Sequence, residues 1–195
     1  WGRPTIIDSL GQLNFHISPR SFFQINTRQA ERLYEQALAY ADLHGTETII
    51  DAYCGTGTIT LFLAQRARKV YGIEIVQPAI LDAWKNARDN HIKNAEFIVG
   101  DATAVMPALY KQGIRPDVVV IDPPRAGCTE TVLRTFANMK PCRIIYVSCN
   151  PATLARDLAI LKDLSYMTQE VQPVDLFPQT SHVECLTKIV RHDLL

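Results

Sequence analysis

The sequence predicts an α/β fold in which a mostly parallel sheet carries helices on both faces and ends in an antiparallel strand. After Gly45, short apolar runs alternate regularly with helical segments, which is typical of parallel strands joined by crossover helices. Two further strand-like runs close the chain, and the loop "FPQTSH" between them is short enough for a hairpin. The 195 residues are 47% hydrophobic, which is sufficient for one large domain.

The predicted elements follow in order. Residues 4–17 predict a hairpin with Gly11 near its turn, and a helix is predicted over 27–43 with Thr27 as its N-cap. The strands of the parallel part are predicted at 48–53, 69–74, 95–100, 117–122 and 143–148. Helices are predicted near 58–67, 78–91, 103–112, 129–138 and 151–163, and the closing strands near 168–176 and 183–191.

Seven strands with a terminal antiparallel hairpin form the layout of the S-adenosylmethionine-dependent methyltransferase fold, a relative of the dinucleotide-binding Rossmann fold. In that layout the last strand lies beside the strand at 143–148. We interpret residues 27–195 as the catalytic domain and residues 1–26 as a remnant of a preceding region. The chain begins with Trp rather than Met, so we expect it to be an excised piece of a longer protein.

The composition limits the function classes. The formal net charge is zero, so a global basic field for nucleic acid is absent and any polyanion site must be local. No apolar run approaches the roughly 18 residues of a membrane span, and the first residues do not resemble a signal peptide. The five cysteines are odd in number and include no CxxC pair, which argues against a disulfide framework or a metal site and favours a reducing cytoplasm.

Ligands of such sheets bind at the carboxyl ends of the parallel strands, so the residues that follow each strand are the candidates. Gly55 and Gly57 in "DAYCGTGTIT" allow a tight turn and a close approach of the backbone to a ligand. Thr60 replaces the third glycine of the dinucleotide motif, which favours a cofactor with an amino-acid tail over a pyrophosphate. The alternative is an ordinary strand-to-helix turn.

Three acidic residues follow the next strands. Glu74 stands about 20 residues beyond the glycine loop, where a carboxylate can accept hydrogen bonds from ribose hydroxyls. Asp101 in "VGDA" is a candidate for the adenine amino group or for an N-cap, and both roles are compatible. Asp122 in "IDPPRAG" presents a carboxylate at the cofactor pocket, and Arg125 stands where amino-group methyltransferases have an aromatic residue.

The segment "YVSCNPATLARDL" places Cys149 between a strand end and a helix, with Asn150 as N-cap and Pro151 as first helical residue. The helix dipole is expected to lower the pKa of the Cys149 thiol. Glu184 in "HVECL" begins the antiparallel last strand, so it and Cys149 are expected to face one site. A buried packing role is the alternative for Cys149, and it is our interpretation of the other four cysteines.

The combination of "SFFQIN", "DAYCGTGTITL", "GIE", "DPPRAGC", "VSCNPATLARDL" and "DLFPQTSHVECL" resembles the RNA (uracil-5-)-methyltransferase family of the TrmA/RumA type from residue 18 onward. The resemblance implies S-adenosylmethionine as cofactor and an RNA partner, and we favour ribosomal over transfer RNA. It implies Cys149 as the nucleophile that adds to C6 of uridine and Glu184 as the general base, with Asp122 also in the catalytic set. The positions that it implies for cofactor binding are Gln24, Tyr53, Gly55, Gly57, Thr58, Glu74, Asp101 and Asp122.

Substrate contacts are expected at Arg125 and Asn150, and Arg20, Arg125 and Arg156 are candidates for RNA phosphates. The reaction predicted from these residues is methylation of C5 of uridine. One alternative is an enzyme that methylates an exocyclic amino group. The other is a non-catalytic module that binds RNA or S-adenosylmethionine.

Overall fold

The structure, a computed structural model, describes residues 5–18, 23–24 and 26–194. Two strands at the amino terminus form a separate hairpin, and seven strands form one sheet with six helices around it. The strands are β1 (Ile6–Leu10), β2 (Leu13–Ile17), β3 (Thr48–Asp51), β4 (Lys69–Glu74), β5 (Ala95–Val99), β6 (Val118–Ile121), β7 (Arg143–Ser148), β8 (Tyr166–Val174) and β9 (Glu184–Arg191). The helices are α1 (Thr27–Ala41), α2 (Thr58–Ala64), α3 (Gln77–Asp89), α4 (Ala102–Lys111), α5 (Glu130–Asn138) and α6 (Pro151–Asp163), and a short 3-10 turn (His192–Leu194) follows β9.

The strand order in the sheet is β5-β4-β3-β6-β7-β9-β8. Strands β3 to β7 pair in parallel, whereas β9 inserts between β7 and β8 and runs antiparallel to both. This confirms the predicted fold class and the antiparallel last strand beside the strand at 143–148. The carboxyl ends of β3, β4, β6 and β7 therefore meet the beginning of β9 at one edge.

The central strands are buried on both faces, and their side chains alternate between two cores. In β6, Val118 and Val120 face the core that contains the hairpin, α1, α2 and α3, while Val119 and Ile121 face the core of α4, α5 and α6. This alternation follows from the two-residue period of a strand. Burial on both faces explains why these strands appear in the sequence as unbroken apolar runs.

The amino-terminal hairpin packs on the first core through four buried side chains, namely Leu10, Leu13, Phe15 and Ile17. Its turn contains Gly11 at φ +57°, as predicted. Asn86 on α3 and Asn90, the C-cap of α3, hold the edge of β2. Asn90 accepts from the N–H of Asn14 and donates to its carbonyl, and Asn86 accepts from the N–H of His16. The side-chain amides thus form hydrogen bonds with the backbone of β2 that a neighbouring strand would otherwise form. The predicted division between residues 1–26 and 27–195 stays a prediction.

The beginning of α1 differs from the prediction by one residue. Asn26, not Thr27, is the N-cap, and its side chain accepts a hydrogen bond from the N–H of Gln29 at 3.3 Å. The same side chain donates to the carbonyl of Leu176 at 3.1 Å, a contact between residues distant in sequence. Among the residues that the structure describes, no helix is long and apolar enough to cross a membrane.

Candidate active site

A pocket opens at the carboxyl edge of the sheet, where the loop between β3 and α2 passes the end of β6. Its walls come from the segment before α1, from α1 itself, from the loop and from the residue after β6. The lining residues are Phe23, Gln24, Tyr34, Asp51, Tyr53, Cys54, Gly55, Thr56, Thr58, Ile59 and Asp122. We call this the first pocket, and it gathers Gln24, Tyr53, Gly55, Thr58 and Asp122 of the predicted cofactor set.

Two buried acceptors in the first pocket lack a partner among the described residues, namely Oε1 of Gln24 and Oδ1 of Asp51. The other oxygen of Asp51 accepts a hydrogen bond from Thr60 at 2.6 Å. Burial raises the pKa of Asp51 to about 6, although the bond from Thr60 opposes the shift. Because an unpaired buried acceptor is costly, both atoms mark the place of a ligand that donates hydrogen bonds.

The glycine loop has the geometry that its sequence predicts. Gly55 and Gly57 adopt φ of +52° and +85°, a region that other residues rarely occupy. A Cβ on Gly57 would lie 3.0 Å from the ring of Phe97, so space is also restricted there. Glu74, at the end of β4, accepts from the N–H of Gly55 at 3.2 Å and from that of Val76 at 2.9 Å. These bonds place the Glu74 carboxylate beside the loop.

Asp101 is the N-cap of α4, which confirms one of its two predicted roles. Its carboxylate accepts from the N–H of Thr103 at 2.7 Å and from the Thr103 hydroxyl. These hydrogen bonds hold the pKa of Asp101 below its ordinary value. The side chain is exposed at the sheet edge, and its contact with adenine stays a prediction.

A second pocket adjoins Cys149 and is lined by the loop before β9. Its residues are Arg125, Cys149, Asn150, Pro151, Ser181, His182 and Val183. Ser148 pairs with Cys185 in the antiparallel register of β7 and β9, so the next step of the register brings Cys149 opposite Glu184. Residues directly opposite in such a pair have Cβ atoms about 5 Å apart. The structure thus brings Cys149 and Glu184 together, as the strand order predicts.

Several carboxyl groups in this region shift one another's ionisation. Burial raises the pKa of Asp122 to about 8, and the charges of Glu184 and Asp51 act in the same direction. Burial also raises the pKa of Glu184, which is 4% exposed, while the guanidinium of Arg125 opposes that shift. The neutral form of Asp122 is therefore favoured at neutral pH, whereas the sequence analysis expected a carboxylate.

The predicted effect of the helix on Cys149 is not what the structure shows. Asn150 does cap α6, accepting from the N–H of Ala152 at 3.1 Å, and Pro151 is in its first turn. Nevertheless the pKa of the Cys149 thiol is raised, by burial first and then by the charges of Glu184 and Asp122. The stabilisation that a helix dipole gives a thiolate, about 0.3–1 kcal/mol, does not reverse the direction of this shift.

The predicted arginines have different surroundings. Arg125 is exposed beside Cys149, where its positive charge opposes the upward shift of the thiol pKa. Arg156 is committed to the protein, because its guanidinium bonds Asp157 and the carbonyls of Ala126 and Cys128. These bonds use Nε and Nη2 while the side chain is 51% exposed, so its role toward phosphate stays a prediction. Arg20 lies outside the described residues.

The sequence analysis missed Asp51, Tyr34 and Phe23. Asp51 is the one charged residue inside the predicted strand at 48–53, and that signal could have identified it. Tyr34 donates to Oγ1 of Thr58 at 3.4 Å, but it comes from α1 and only the fold brings it to the glycine loop. Among the described residues, no group of three or more His, Cys, Asp or Glu side chains is arranged to hold a metal.

Comparison with known proteins identifies the family. The family model described as tRNA (uracil-5-)-methyltransferase matches residues 10–191. An uncharacterized RNA methyltransferase of Halalkalibacterium halodurans is 60% identical over 94% of this chain and 40% of its own length. One from Bacillus cereus is 56% identical over 98% of the chain and 42% of its own length. The chain thus spans about two fifths of the curated relatives that it matches.

Solved structures agree with this assignment. The Pyrococcus abyssi tRNA (uracil-54, C5)-methyltransferase, crystallised with S-adenosyl-L-homocysteine, is 36% identical with a TM-score of 0.83, over 97% of this chain and 45% of that one. A tRNA m1G37 methyltransferase of M. jannaschii, at 12% identity and a TM-score of 0.75 over 98% of this chain and 58% of that one, shares the fold alone. The chain belongs to the tRNA (uracil-5-)-methyltransferase family.

Proposed function

We propose that this chain is the catalytic domain of an RNA methyltransferase that transfers a methyl group from S-adenosylmethionine to C5 of uridine. The observation that carries the proposal is the register of β7 and β9, which ends at the Ser148–Cys185 pair and whose next step brings Cys149 opposite Glu184. The second pocket adjoins Cys149, and the carboxyl groups of Asp51 and Asp122 line the first pocket. The reaction requires one thiol and one base at the same ring with a methyl donor alongside. The first pocket suits the donor and the second suits the uracil.

The residues of the first pocket fit S-adenosylmethionine. The unpartnered oxygens of Gln24 and Asp51 suit the ammonium group of its amino-acid tail. Glu74, at the end of β4, suits the ribose hydroxyls. The carboxyl group of Asp122 favours a cation in the pocket over an anion, and the P. abyssi relative holds S-adenosyl-L-homocysteine.

The chemistry follows from the poor nucleophilicity of C5 in uracil. The Cys149 thiolate adds to C6, and the electron pair of the C5–C6 bond moves into an enolate that makes C5 nucleophilic. S-adenosylmethionine, when bound, would supply the methyl group from its positively charged sulfur. The nucleophilic C5 would form the new bond to that methyl carbon, and the sulfur would keep the electron pair of the broken bond as a neutral thioether. Glu184 then takes the proton from C5, the bond from C6 to Cys149 breaks, and the thiolate and the aromatic ring are restored.

The remaining residues of the second pocket bind and orient the substrate. Arg125 is exposed and suits a phosphate next to the target base. Asp122 lines the first pocket rather than the second, so its charge acts on Cys149 from the side of the cofactor. Asn150 uses its side chain for the helix cap and for the carbonyl of Arg125. The target uridine must be turned out of the RNA stack to enter, which costs least in a loop.

The decisive experiment uses Cys149→Ala in the intact protein. Methyl transfer to RNA is expected to fall below detection, while the affinity for S-adenosylmethionine measured by calorimetry stays within about twofold. Retained methyl transfer would refute the cysteine adduct, and binding without methyl transfer by the unchanged protein would favour a non-catalytic binding module. Methyl-transfer assays with ribosomal RNA and with transfer RNA decide which of the two is the substrate. The preference for ribosomal RNA stays a prediction.

Glu184→Gln separates the second half of the reaction from the first. The thiolate still adds to C6, but removal of the C5 proton is slowed, so a covalent protein–RNA adduct is expected to accumulate with ordinary RNA. RNA containing 5-fluorouridine is the matched probe, because it traps the unchanged protein at the same stage. If 5-fluorouridine RNA traps the unchanged protein but Glu184→Gln gives no adduct with ordinary RNA on a denaturing gel, the assignment of Glu184 is wrong.

A further inference from the structure

The loop of residues 125–128 is hydrogen-bonded to α6, the helix whose N-cap, Asn150, follows Cys149. The carbonyl of Arg125 accepts hydrogen bonds from the Asn150 side chain and from the Thr153 hydroxyl, both at 3.2 Å. Both donors belong to the beginning of α6. The backbone of Arg125 is therefore tied to the same element that positions the thiol.

Arg156 and Asp157, one turn further along α6, complete the attachment. The Arg156 guanidinium donates to the carbonyls of Ala126 and Cys128, each at 2.9 Å. It also donates to Oδ1 of Asp157 at 2.7 and 2.8 Å. The second oxygen of Asp157 accepts from the N–H of Cys128 at 2.7 Å and from the hydroxyl of Tyr146 at 2.6 Å.

The loop packs closely against the Arg156 and Asp157 side chains. Asp157 is fully buried, and a buried carboxylate is tolerated only when it is paired and hydrogen-bonded. Gly127 adopts φ +71°, and a Cβ there would lie 2.6 Å from Oδ2 of Asp157 and 2.8 Å from the Arg156 guanidinium. Arg156 and Asp157 line neither the first nor the second pocket, so direct contact with a ligand there does not explain them.

We propose that the Arg156–Asp157 pair is a positioning device that holds the guanidinium of Arg125 beside Cys149 and Glu184. The inference rests on the proposed function, in which Cys149 is the nucleophile. The charged or titratable groups that face the thiol are Asp122 after β6, Glu184 on β9, Arg125 on the loop and His182 before β9. The positive charge of Arg125 is the one that opposes the upward shift of the thiol pKa caused by both carboxyl groups.

The test is the pH profile of iodoacetamide alkylation at Cys149, measured by mass spectrometry in the intact protein. The midpoint of the profile reports the thiol pKa, and its plateau reports access of the reagent. Arg156→Gln is expected to raise the midpoint by about half to one unit, which slows alkylation at neutral pH roughly three- to tenfold. Arg156→Lys keeps the charge but not the forked donors, so it is expected to raise the midpoint by a smaller amount.

Two controls make the result specific. Cys142, which precedes β7 at the opposite edge of the sheet, is the internal reference, and its profile is expected to stay unchanged. Arg134→Gln removes an arginine from an exposed ion pair with Glu130 on α5 and is expected to leave Cys149 unchanged. If Arg156→Gln does not fold, Thr153→Val removes one bond to the Arg125 carbonyl and is expected to raise the midpoint slightly.

The positioning role is overturned if Arg156→Gln folds and its Cys149 midpoint equals that of the unchanged protein. Equal shifts of the midpoint at Cys149 and Cys142 would also overturn it. Alkylation requires neither RNA nor cofactor, so this failure is distinct from failure of the proposed function. Absence of methyl transfer by the unchanged protein would reject the function while leaving the measured shift intact. Where both hold, the variant is expected to lower kcat more than it raises KM for RNA.

Discussion

The binding of S-adenosylmethionine should depend on pH through Asp122, whose pKa is raised to about 8. Its side chain is half-buried, and the charges of Glu184 and Asp51 act on it, so its neutral form is favoured. A positively charged ligand reverses this preference, since it is attracted by the ionised carboxylate. Binding of the cofactor should therefore release a proton from Asp122 at neutral pH.

The size of the effect follows from the two raised pKa values. With a pKa of about 8, Asp122 is ionised in about 1% of molecules at pH 6.0 and in about 10% at pH 7.0, so affinity should rise about tenfold over this interval. Asp51, with a pKa of about 6, passes from about half to about nine tenths ionised and adds about twofold. The α-amino group of the cofactor stays mostly charged in this range, since its ordinary pKa is about 7.7–8.0.

Isothermal titration calorimetry at pH 6.0, 6.5 and 7.0 measures the dependence directly. Repeating each titration in buffers of different ionisation enthalpy counts the protons released, and close to one is expected at pH 7.0. Asp122→Asn is the matched variant, because it removes the titrating group at nearly constant volume. Its affinity should change only about twofold across the same interval, the part due to Asp51.

The role of Asp122 is refuted if the affinity of the unchanged protein for S-adenosylmethionine varies less than about twofold between pH 6.0 and 7.0. It is also refuted if Asp122→Asn retains the full dependence. S-adenosylhomocysteine provides a further control, because it lacks the charge on sulfur and should show a weaker pH dependence than S-adenosylmethionine.

Other predictions concern residues around the glycine loop and the hairpin. Glu74→Gln removes a charged acceptor from the proposed ribose site and should weaken cofactor binding about tenfold or more by calorimetry, whereas an unchanged affinity would exclude that role. Gly72→Ala places a Cβ 2.7 Å from the Phe97 ring, so the free energy of unfolding measured in urea should fall by about 1–3 kcal/mol; an equally stable variant would show that the ring can move. Asn86→Ala removes buried bonds to the hairpin and to the glycine loop, so both stability and cofactor affinity should fall, whereas Asn90→Ala should affect stability alone.

The sheet could be predicted from the sequence because its central strands are buried on both faces and stand out as apolar runs. The strands at 69–74 and 143–148 were predicted with the bounds that the structure has. The meeting of Cys149 and Glu184 was predictable for the same reason, since it depends only on strand order and direction. Local pattern is sufficient where one property, burial, determines the element.

Local pattern fails where several distant groups decide the outcome. Asn26 and Thr27 are both capable N-caps, and the bond from Asn26 to the carbonyl of Leu176 distinguishes them only in the folded protein. Likewise, no spacing rule connects Tyr34 on α1 with Thr58 at the glycine loop. The bonds of Arg156 to the carbonyls of Ala126 and Cys128 were not predictable either, because they require the loop to fold back on α6.

The ionisation of Cys149 depends on several contributions to the thiol pKa that must be added together, so a single sequence motif does not predict it. A helix N-terminus and Arg125 favour the thiolate, but burial and the charges of Glu184 and Asp122 raise the pKa of the thiol. Under the proposed function, the sulfonium group of the cofactor brings a positive charge into the pocket that Asp122 lines, and this charge counters that of the ionised Asp122 carboxylate. The methyl donor therefore offsets one of the contributions that raise the pKa of the Cys149 thiol, so formation of the nucleophile is coupled to binding of the donor.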